Sequence, residues 1–572
     1  MNLLARHFTR TFHRNCGLIR SHVRPSLPNC CHGPVREKSS VTVTYEDTSV
    51  HSNASDSSNN TSTPKNPVPD FNDAHAAYES KSTKELLRAA ACFRLCRIPF
   101  LVNNAEILLR SSRFLLGGWI TDAALKATLF GHFCAGEDQD RIRPVIQKLK
   151  DAGIGSILDY AAENDQPAAP AKLEDKSFEE QNIRVQTYDY ESEAQCDRHV
   201  DTFLHCINDV ASFGPDGFAA VKITALGNPK LLARLSTAIV EAKRLFQIFD
   251  SNGDGVIGRD EFEFGYNKFF VDGETRIKEI FEEFDPDNSG MIDYITWSMM
   301  LSPRDLPRIV SSCQAAGRLS EACPTGEEIE LLENMYDRGR TLGEAAAKAG
   351  VRLLIDAEQV RYQPAIDNLV LELQRQFNVD DKPIIYNTYQ CYLQDSPERL
   401  RTDVKRAERF NYHFGAKLVR GAYMESERKL AEDAGLPDPI QPNIDATHKC
   451  YDESVDFLLR HSIESDQKAE LMCATHNQSS IENAIDAMNK YGVDRKESTI
   501  CFAQLYGMSD HLSYNLGKHD FRVFKYVPYG EVHEVMPYLL RRARENSAIV
   551  GGATLELNMI KQELGSRMRR LG

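Results

Sequence analysis

Eight short apolar runs, each followed by a stretch with helical periodicity, constrain the fold of this chain more than any other feature. The runs occupy residues 155–160, 218–226, 351–356, 383–390, 416–422, 470–476, 499–505 and 521–527. Strands that alternate with helices indicate parallel βαβ units, and eight such units are what a closed (β/α)8 barrel requires. An open doubly wound sheet is the alternative, but no GxGxxG sequence follows any run. The sequence therefore predicts an α/β fold with a TIM-type barrel.

The active site of such a barrel lies at the carboxyl ends of its strands. In this chain, polar side chains close or follow six of the eight runs. They are Lys222, Asp356, Gln390, Arg420, His476 and Tyr526. We therefore expect these side chains to converge at one mouth of the barrel.

The chain has 572 residues, too many for one compact core, so segments outside the barrel are expected. Helical periodicity dominates residues 79–151, before the first run. Residues 236–310, between the second and third runs, have another character. The barrel is thus expected in two parts, 152–235 and 311–560, with a tail at 561–572.

The first 36 residues contain six arginines and no acidic residue, and apolar positions share one helix face. This pattern is typical of a mitochondrial transit peptide; a basic disordered tail is the alternative. Residues 49–63 are rich in Ser, Asn and Thr and too polar to form a core. Residues 1–78 are therefore interpreted as a transit peptide and a disordered spacer.

Overall composition narrows the choice of partner. The net charge of −15 and the absence of a long basic run argue against nucleic-acid binding. The 14 cysteines show no metal-binding spacing, which favours a reducing compartment. The best candidate for a membrane span, residues 114–130, contains Asp122 and Lys126, so any membrane attachment is expected to be peripheral.

Residues 250–261 fit the twelve-residue EF-hand loop at every diagnostic position. Gly255 permits the sharp turn of the loop. The predicted Ca²⁺ ligands are the side chains of Asp250, Asn252, Asp254 and Glu261 and the carbonyl of Val256. A second loop covers residues 285–296, but Thr296 at its twelfth position cannot supply a bidentate carboxylate. We therefore expect an EF-hand pair in which only the first loop binds calcium well.

The segment YLLRRARE at residues 538–545 places Tyr538, Arg541, Arg542 and Glu545 on one broad helix face. In isolation, a solvated face with an Arg–Glu pair is the simpler interpretation. Because this helix follows the last strand, its face can instead look into the barrel mouth. Two guanidinium groups there would form a carboxylate clamp, with Lys222 as a third positive charge.

These features together resemble the proline dehydrogenase (proline oxidase) family, specifically its eukaryotic mitochondrial branch, over residues 80–557. The helix segment above is one matching motif, and the others occur in family order at strand ends. They are VKITALG at 221–227, IDAEQ at 355–359, YNTYQCY at 386–392, AKLVRGAY at 416–423, ATHN at 474–477, QLYGM at 504–508 and KYVPYG at 525–530.

The resemblance implies a distorted (β/α)8 barrel that holds FAD without a Rossmann domain. It also implies that Asp356 and Lys417 occupy catalytic positions, although Lys417 departs from bacterial members, which carry Arg. The implied substrate-binding residues are Lys222, Tyr423, Leu505, Tyr526, Tyr538, Arg541 and Arg542. The implied flavin-binding residues are Ala357, Asn387, Arg420, Gly421, Ala422, Thr475, His476, Asn477 and Glu545.

The implied reaction is oxidation of L-proline to Δ1-pyrroline-5-carboxylate. By the same resemblance, electrons pass to a membrane quinone on the matrix side of the inner mitochondrial membrane. Two alternatives stay open: a trans-4-hydroxyproline dehydrogenase, whose members tend to carry a smaller residue at the position of Tyr526, and an inactive calcium-binding scaffold. Because the EF-hand segment follows the strand that carries Lys222, regulation by calcium is a further hypothesis.

Overall fold

The computed structural model describes residues 65–160, 190–214, 216–314, 317–465, 469–497, 499–548 and 552–571. The basic N-terminal segment and the predicted spacer at 49–63 lie outside these residues. Within the described ranges, no helix has both the length and the apolar character needed to cross a membrane.

Eight parallel strands close into a barrel, which confirms the predicted fold. The ten strands of the described chain are β1 (Ile154–Tyr160), β2 (Phe218–Val221), β3 (Val256–Gly258), β4 (Met291–Asp293), β5 (Arg352–Ile355), β6 (Ile385–Gln390), β7 (Phe414–Val419), β8 (Ala469–Ala474), β9 (Ile500–Leu505) and β10 (Val523–Tyr529). The barrel order is β1-β10-β9-β8-β7-β6-β5-β2, and β3 pairs only with β4.

Helices surround the barrel and form the segments outside it. Those before β1 are α1 (Ala74–Tyr78), α2 (Thr83–Cys96), α3 (Pro99–Asn103), α4 (Ala105–Leu116), α5 (Gly118–Ala127), α6 (Leu129–Phe133) and α7 (Gln139–Asp151). Those from β1 to β5 are α8 (Glu193–Phe213), α9 (Pro229–Phe249), α10 (Arg259–Phe269), α11 (Glu274–Phe284), α12 (Tyr294–Met300), α13 (Leu306–Val310), α14 (Arg318–Ala322) and α15 (Gly326–Ala349). Those after β5 are α16 (Gln363–Phe377), α17 (Ser396–Phe410), α18 (Met424–Asp433), α19 (Ile444–Glu464), α20 (Gln478–Tyr491), α21 (Asp510–Lys518), α22 (Met536–Ala548) and α23 (Gly552–Leu571).

A buried ion pair fills the N-terminal end of the barrel interior. Arg352 Nη2 lies 3.2 Å from Glu470 Oε2, and the Tyr386 hydroxyl donates to the same carboxylate. The Arg352 guanidinium also bonds Asp216 at 2.7 Å, outside the strands. Buried charges need partners, and these charges find them in one another. Because the network fills the N-terminal end of the barrel, the carboxyl end is left for ligands.

The second strand is shorter than the run at 218–226 predicts. It ends at Val221, and Ile223–Ala225 form a 3-10 turn. The turn is held by the buried Glu358: Oε1 accepts the Thr224 amide at 3.1 Å, and Oε2 accepts the Thr224 hydroxyl at 2.7 Å. A tertiary hydrogen bond thus overrides the strand preference of this apolar sequence.

Both predicted terminal boundaries need correction. Residues 65–78 belong to the fold, because Asn66 is buried and donates to Val493 O at 2.8 Å. Residues 561–571 are not a separate tail, because α23 extends to Leu571 and packs on α1 and α2. Arg567 donates to the carbonyls of Tyr78 and Lys81 at 2.8 Å each, which fixes the helix to the N-terminal region.

The segment between β2 and β5 that the sequence sets apart, residues 236–310, is called the insertion below. It consists of two helix–loop–helix units. Strands β3 and β4 join them in antiparallel register, with Ile257 opposite Ile292. Their aromatic core is Phe246, Phe249, Phe262, Phe281, Phe284 and Trp297. Helix α9 (Pro229–Phe249) runs from the barrel layer into the first loop without a break, so the predicted boundary at residue 236 falls inside a helix. This arrangement fits the predicted EF-hand pair.

Candidate active site

Asp356 lies at the carboxyl mouth of the barrel, and side chains from two other strands hold both of its oxygens. Its amide, directly after β5, donates to Val221 O of β2 at 3.0 Å. Lys417 Nζ on β7 lies 2.5 Å from Asp356 Oδ1, and the Tyr526 hydroxyl on β10 donates to Oδ2 at 2.7 Å. The Lys417 ammonium also lies 5.3 Å from the centroid of the Tyr526 ring. The structure thus brings three predicted site residues from three strands into direct contact.

Arg420 follows β7 and is held by side chains of β8 and two helices. Its Nη1 donates to Thr475 Oγ1 at 2.6 Å, its Nη2 to Ser480 Oγ at 2.8 Å and its Nε to His448 Nδ1 at 2.8 Å. The Thr475 amide in turn donates to the Ala503 carbonyl of β9 at 3.1 Å. The guanidinium therefore has a fixed orientation, which suits recognition of a planar or anionic group.

The backbone after Arg420 turns sharply at Gly421, where φ is 137°. A Cβ at Gly421 would come within 2.2 Å of the Tyr392 ring, so only glycine fits both the backbone angle and the space. Gly421 and Ala422 are exposed on the mouth, and Tyr423 lies partly buried at the start of α18. This small-residue surface leaves room for a ligand beside the strand end.

His476 is a neutral imidazole at the same mouth. Burial, aided by nearby cations that include Lys525 and Arg542, lowers the pKa of His476 to about 3. Its Nδ1 lies 2.8 Å from Ser509 Oγ. The adjacent Asn477 has a structural role, since its Oδ1 accepts the Ser480 amide at 3.0 Å and caps α20.

Helix α22 carries Tyr538, Arg541, Arg542 and Glu545 on one face, near the carboxyl mouth of the barrel. Arg542 Nη2 lies 2.7 Å from Glu545 Oε1, and the Arg542 guanidinium carbon lies 5.0 Å from the centroid of the Tyr538 ring; the corresponding distance for Arg541 is 5.9 Å. The Tyr538 hydroxyl and Arg542 Nε are buried with no hydrogen-bond partner among the described residues. Buried polar atoms in this state are costly, and a bound polar ligand would satisfy them.

The pocket wall is continuous with the N-terminal helices. Leu505, at the end of β9, packs in one hydrophobic cluster with Tyr538, Met508 and Val102. Gly507, just after β9, has φ 76°, and a Cβ there would lie 2.3 Å from the His132 carbonyl oxygen. The loop after β9 is therefore pressed tightly onto the helical region.

Lys222 follows β2 and lies within electrostatic range of Glu358. Burial raises the pKa of Glu358 to about 7, while the Thr224 hydrogen bonds and the positive charge of Lys222 lower it and Asp356 raises it. Glu358 lies two residues after Asp356 and one after Ala357. The charges of Lys222 and Asp356 therefore both act on the Glu358 carboxyl group.

Asn387 does not join the site. Its side chain is fully buried and donates to Asp367 Oδ1 of α16 at 3.0 Å, and its Oδ1 accepts the Thr388 amide. The period of two along β6 points Asn387 to the helical layer, because its neighbours Tyr386 and Thr388 face inward. The prediction of a flavin contact for this side chain has no support in the geometry.

Two buried carboxylates near the site were not predicted. One is Glu358. The other is Asp159, near the end of β1, whose charge raises the pKa values of the Tyr526 and Tyr538 phenols after the larger effect of burial. Asp159 lies one residue before the end of the first apolar run and Asp356 ends the third, so position near a strand end was the only available signal.

The first loop of the insertion has the predicted ligand residues on its surface. Asp250 accepts the amides of Gly253 at 2.9 Å and Gly255 at 3.0 Å, and Glu261 accepts the amide of Gly258 at 3.0 Å. Gly255 has φ 87°, as the turn requires. No group of three or more His, Cys, Asp or Glu side chains within the described ranges is arranged to hold a metal. The oxygen donor set nevertheless suits Ca²⁺ by its chemistry.

Comparison with known sequences identifies the family. A family model described as "Proline dehydrogenase" matches residues 142–553. The chain belongs to the proline dehydrogenase family. It is 36% identical over 548 residues to human "Proline dehydrogenase 1, mitochondrial", covering 88% of this chain and 91% of that one. The Caenorhabditis elegans protein of the same name is 37% identical over 549 residues, covering 87% and 88%.

More distant relatives of this proline dehydrogenase family member are named hydroxyproline dehydrogenase. The Xenopus laevis protein is 31% identical over 492 residues, covering 86% of this chain and 89% of that one. Among solved structures, proline utilization A from Bdellovibrio bacteriovorus has a TM-score of 0.50 at 17% identity, covering 85% of this chain and 39% of that longer chain. This last likeness supports the fold alone.

Proposed function

We propose that this chain is a mitochondrial, FAD-dependent enzyme that oxidises L-proline to Δ1-pyrroline-5-carboxylate. The observation that carries the proposal is the Asp356 group, held by Lys417 and Tyr526 at the same barrel mouth as the cationic helix α22. Family membership supplies the reaction class, and the mitochondrial names of the relatives support the compartment.

The residues at the mouth fit a flavin. The oriented Arg420, the neutral His476, the exposed turn at Gly421 and the unsatisfied buried atoms of Tyr538 and Arg542 form a mixed polar lining. When bound, FAD would supply the two-electron acceptor for the reaction. Arg420 and His476 are the residues we expect to contact it.

The chain's own contribution is to bind and orient proline. Arg541, Arg542 and Lys222 would grip the proline carboxylate through charge-assisted hydrogen bonds, each worth roughly 1.5–3 kcal/mol. Tyr526 and Leu505 would form the walls around the ring. The ion pair of Lys417 with Asp356 and the Tyr526 hydrogen bond would keep these walls in place.

Proline is favoured over 4-hydroxyproline. The Tyr526 ring is fixed, because its hydroxyl donates to Asp356 and its face lies near the Lys417 ammonium. A ring held in this way leaves little space for a hydroxyl group on the substrate. The higher identity to proline dehydrogenases than to hydroxyproline dehydrogenases agrees with this choice.

A membrane quinone is the electron acceptor we propose, as is general in the family. The enzyme would then act on the matrix side of the inner mitochondrial membrane, attached peripherally. We also propose that the first loop of the insertion binds Ca²⁺ through Asp250, Asn252, Asp254, Glu261 and the Val256 carbonyl.

The decisive experiment is anaerobic titration of the purified protein with proline. We expect flavin absorption bands that bleach with proline and bleach far less with trans-4-hydroxyproline. A colourless protein after expression with ample flavin, or a coloured one that proline does not bleach, would contradict the proposal. A protein that binds calcium but carries no flavin would indicate an inactive scaffold instead.

A further inference from the structure

Helices α4 and α5 form a hairpin with an apolar surface that the rest of the described chain does not cover. They turn at Gly117, where φ is 84°. Phe114 and Trp119, on either side of the turn, are 89% and 83% exposed. The other large exposed apolar side chains of the hairpin are Ile107, Leu108, Leu115, Leu116 and Ile120. Soluble proteins rarely leave so continuous an apolar surface open unless it has a binding role.

The hairpin is held together from its inner side. Ser112 Oγ lies 2.9 Å from Thr121 Oγ1, and Arg113 Nη2 lies 2.8 Å from Asp122 Oδ1. Helix α4 itself buries no residue. Only Leu109 packs in part on the cluster around Tyr538, and a helix of this length is marginal in water with so little packing, which favours a partner for its outer face.

We infer that the tip of this hairpin inserts into one leaflet of an anionic lipid bilayer. This inference rests on the proposed function, which calls for a quinone in the membrane. The side chains at the tip are the types that bind at the boundary between headgroups and acyl chains, with Trp and Phe beside Leu and Ile. A helix of 12 residues is about 18 Å long, so the hairpin can enter a leaflet but cannot span roughly 30 Å of hydrocarbon.

Charge favours lipid over a protein partner. Residues 94–126 contain five basic and two acidic side chains, in a chain of net charge −15. Arg94, Arg97, Arg110 and Lys126 are exposed around the apolar surface. A ring of positive charge around an apolar tip complements anionic headgroups, because each cation near the membrane surface adds to binding.

The hairpin is also connected to the active site. Glu106 on α4 lies 3.3 Å from Arg544 Nη2 on α22, the helix that carries the proposed clamp. At the hairpin base, Leu125 packs in the same hydrophobic cluster as Tyr538. Insertion of the tip would therefore hold the barrel mouth near the membrane surface, where a quinone is available.

The chain's two tryptophans allow a direct test. Trp119 is 83% exposed at the tip, whereas Trp297 is 3% exposed inside the insertion. When the full chain is mixed with vesicles of phosphatidylcholine and cardiolipin, we expect the Trp119 emission to shift to the blue and to be quenched by brominated acyl chains. Bound protein whose emission neither shifts nor is quenched would overturn the inference.

A paired comparison of variants completes the test. We expect F114S/W119S to weaken co-sedimentation with these vesicles at least about tenfold and to slow turnover with vesicle-embedded quinone. F264S is the matched control, because Phe264 is 74% exposed but lies in the insertion. Equal binding by the double variant and F264S would overturn the inference. So would a change confined to the oligomeric state, which would make the hairpin a contact between copies.

The assays keep this inference separate from the proposed function. Turnover of proline with a water-soluble dye, without vesicles, reports the proposed function alone, and we expect F114S/W119S to match the wild type there. Vesicle binding without proline reports the inference alone. A wild-type protein that binds vesicles but never oxidises proline would refute the function and leave the surface assignment standing.

Discussion

Lys417 Nζ lies 2.5 Å from Asp356 Oδ1 at the barrel mouth. The two residues come from β7 and from the end of β5, with β6 between them. Lys417 is almost fully buried, so the ammonium has little water to replace its carboxylate partner. The Tyr526 hydroxyl occupies the other oxygen of Asp356 at 2.7 Å. Removal of either partner therefore leaves a largely buried charge incompletely satisfied.

Replacement of Lys417 by Met should lower kcat/KM for proline about tenfold to a hundredfold, because a hydrogen bond between charged groups is worth roughly 1.5–3 kcal/mol. Tyr526→Phe should give a smaller loss, since it removes only the hydroxyl and keeps the ring. Tyr526→Ser should also lower the ratio of kcat/KM for proline over trans-4-hydroxyproline. Steady-state kinetics with a soluble dye measures all three.

Tyr529→Phe is the matched control for Tyr526→Phe. Tyr529 is on the same strand, but it packs in the outer hydrophobic layer of the barrel rather than in the lumen. We expect its kcat/KM to remain close to that of the wild type. Equal losses in Y526F and Y529F would show that the effect arises from damage to β10 rather than from the Asp356 contact.

Arg541→Met and Arg542→Met should each raise the KM for proline about tenfold or more, with flavin still bound, because each removes one arm of the carboxylate clamp. Arg542→Met should also lower stability, since Arg542 contacts Glu545 and the Tyr538 ring. Arg544→Met is the control on the same helix, where the side chain is exposed and should leave KM unchanged. A KM unaffected by either clamp substitution would refute the clamp.

The barrel was predictable because its signal is periodic and repeated. Each strand that the sequence predicts is present, with boundaries that differ by a few residues. The clearest mismatch, the end of β2 at Val221, depends on the hydrogen bonds between Thr224 and Glu358. These residues are 134 positions apart in sequence, and no local pattern predicts such a contact.

The convergence of side chains at the candidate site was predictable where residues close a strand and harder to predict where they do not. Asp356 and Tyr526 converge as expected, because parallel strands end at one mouth. Lys417 lies inside β7, and only the family resemblance pointed to it. Asn387 was harder to place, because the direction of its side chain follows the register of β6, which places Tyr386 and Thr388 inside. Its flavin contact stays a prediction. The role of Glu358 arises from burial, which a sequence does not display.

Glu358 should make ligand binding depend on pH near neutrality. Burial raises the pKa of Glu358 to about 7, so the carboxyl group is mostly neutral below pH 7 and gains a negative charge above it. That charge weakens the attraction of Lys222 for a carboxylate ligand. We expect the Kd of cyclopentanecarboxylate, which lacks the titrating amine of proline, to rise several-fold from about pH 6 to about pH 8.

Glu358→Gln should remove this dependence and leave Kd nearly constant over the same range. Stability gives a second readout. Because the folded pKa lies above the usual value of 4.5, the stabilising contribution of protonated Glu358 is present below pH 4.5 and lost as the pH rises through 7. The free energy of unfolding of E358Q relative to that of the wild type should therefore increase as the pH rises from 4.5 to about 7. A Kd profile identical in both proteins would exclude Glu358 as the titrating group.

Calcium should bind at the first loop only, with one ion per chain by calorimetry. In the second loop, Arg409 Nη1 of α17 lies 2.9 Å from Asp293 Oδ1 and donates to Thr296 Oγ1 at 3.1 Å. The Arg409 guanidinium therefore binds the side chains at positions nine and twelve of this loop. For the same reason, Thr296→Glu alone should not create a second site, because Arg409 would pair with the new carboxylate. The double variant T296E/R409M should bind two ions. A second ion in T296E alone would contradict the blocking role of Arg409.

The variant Glu261→Gln separates the effect of calcium on stability from its effect on activity. Calcium binds only the folded loop, so saturating calcium should raise the Tm of the wild type and of the second-loop control Asp287→Asn, but not that of E261Q. Because α9 runs from the barrel layer to Asp250 without a break, an ion that orders the loop also fixes the end of a barrel helix. If calcium is regulatory, wild-type turnover should differ between chelator and calcium while E261Q stays constant. Equal turnover accompanied by the Tm shift would assign the ion a purely stabilising role.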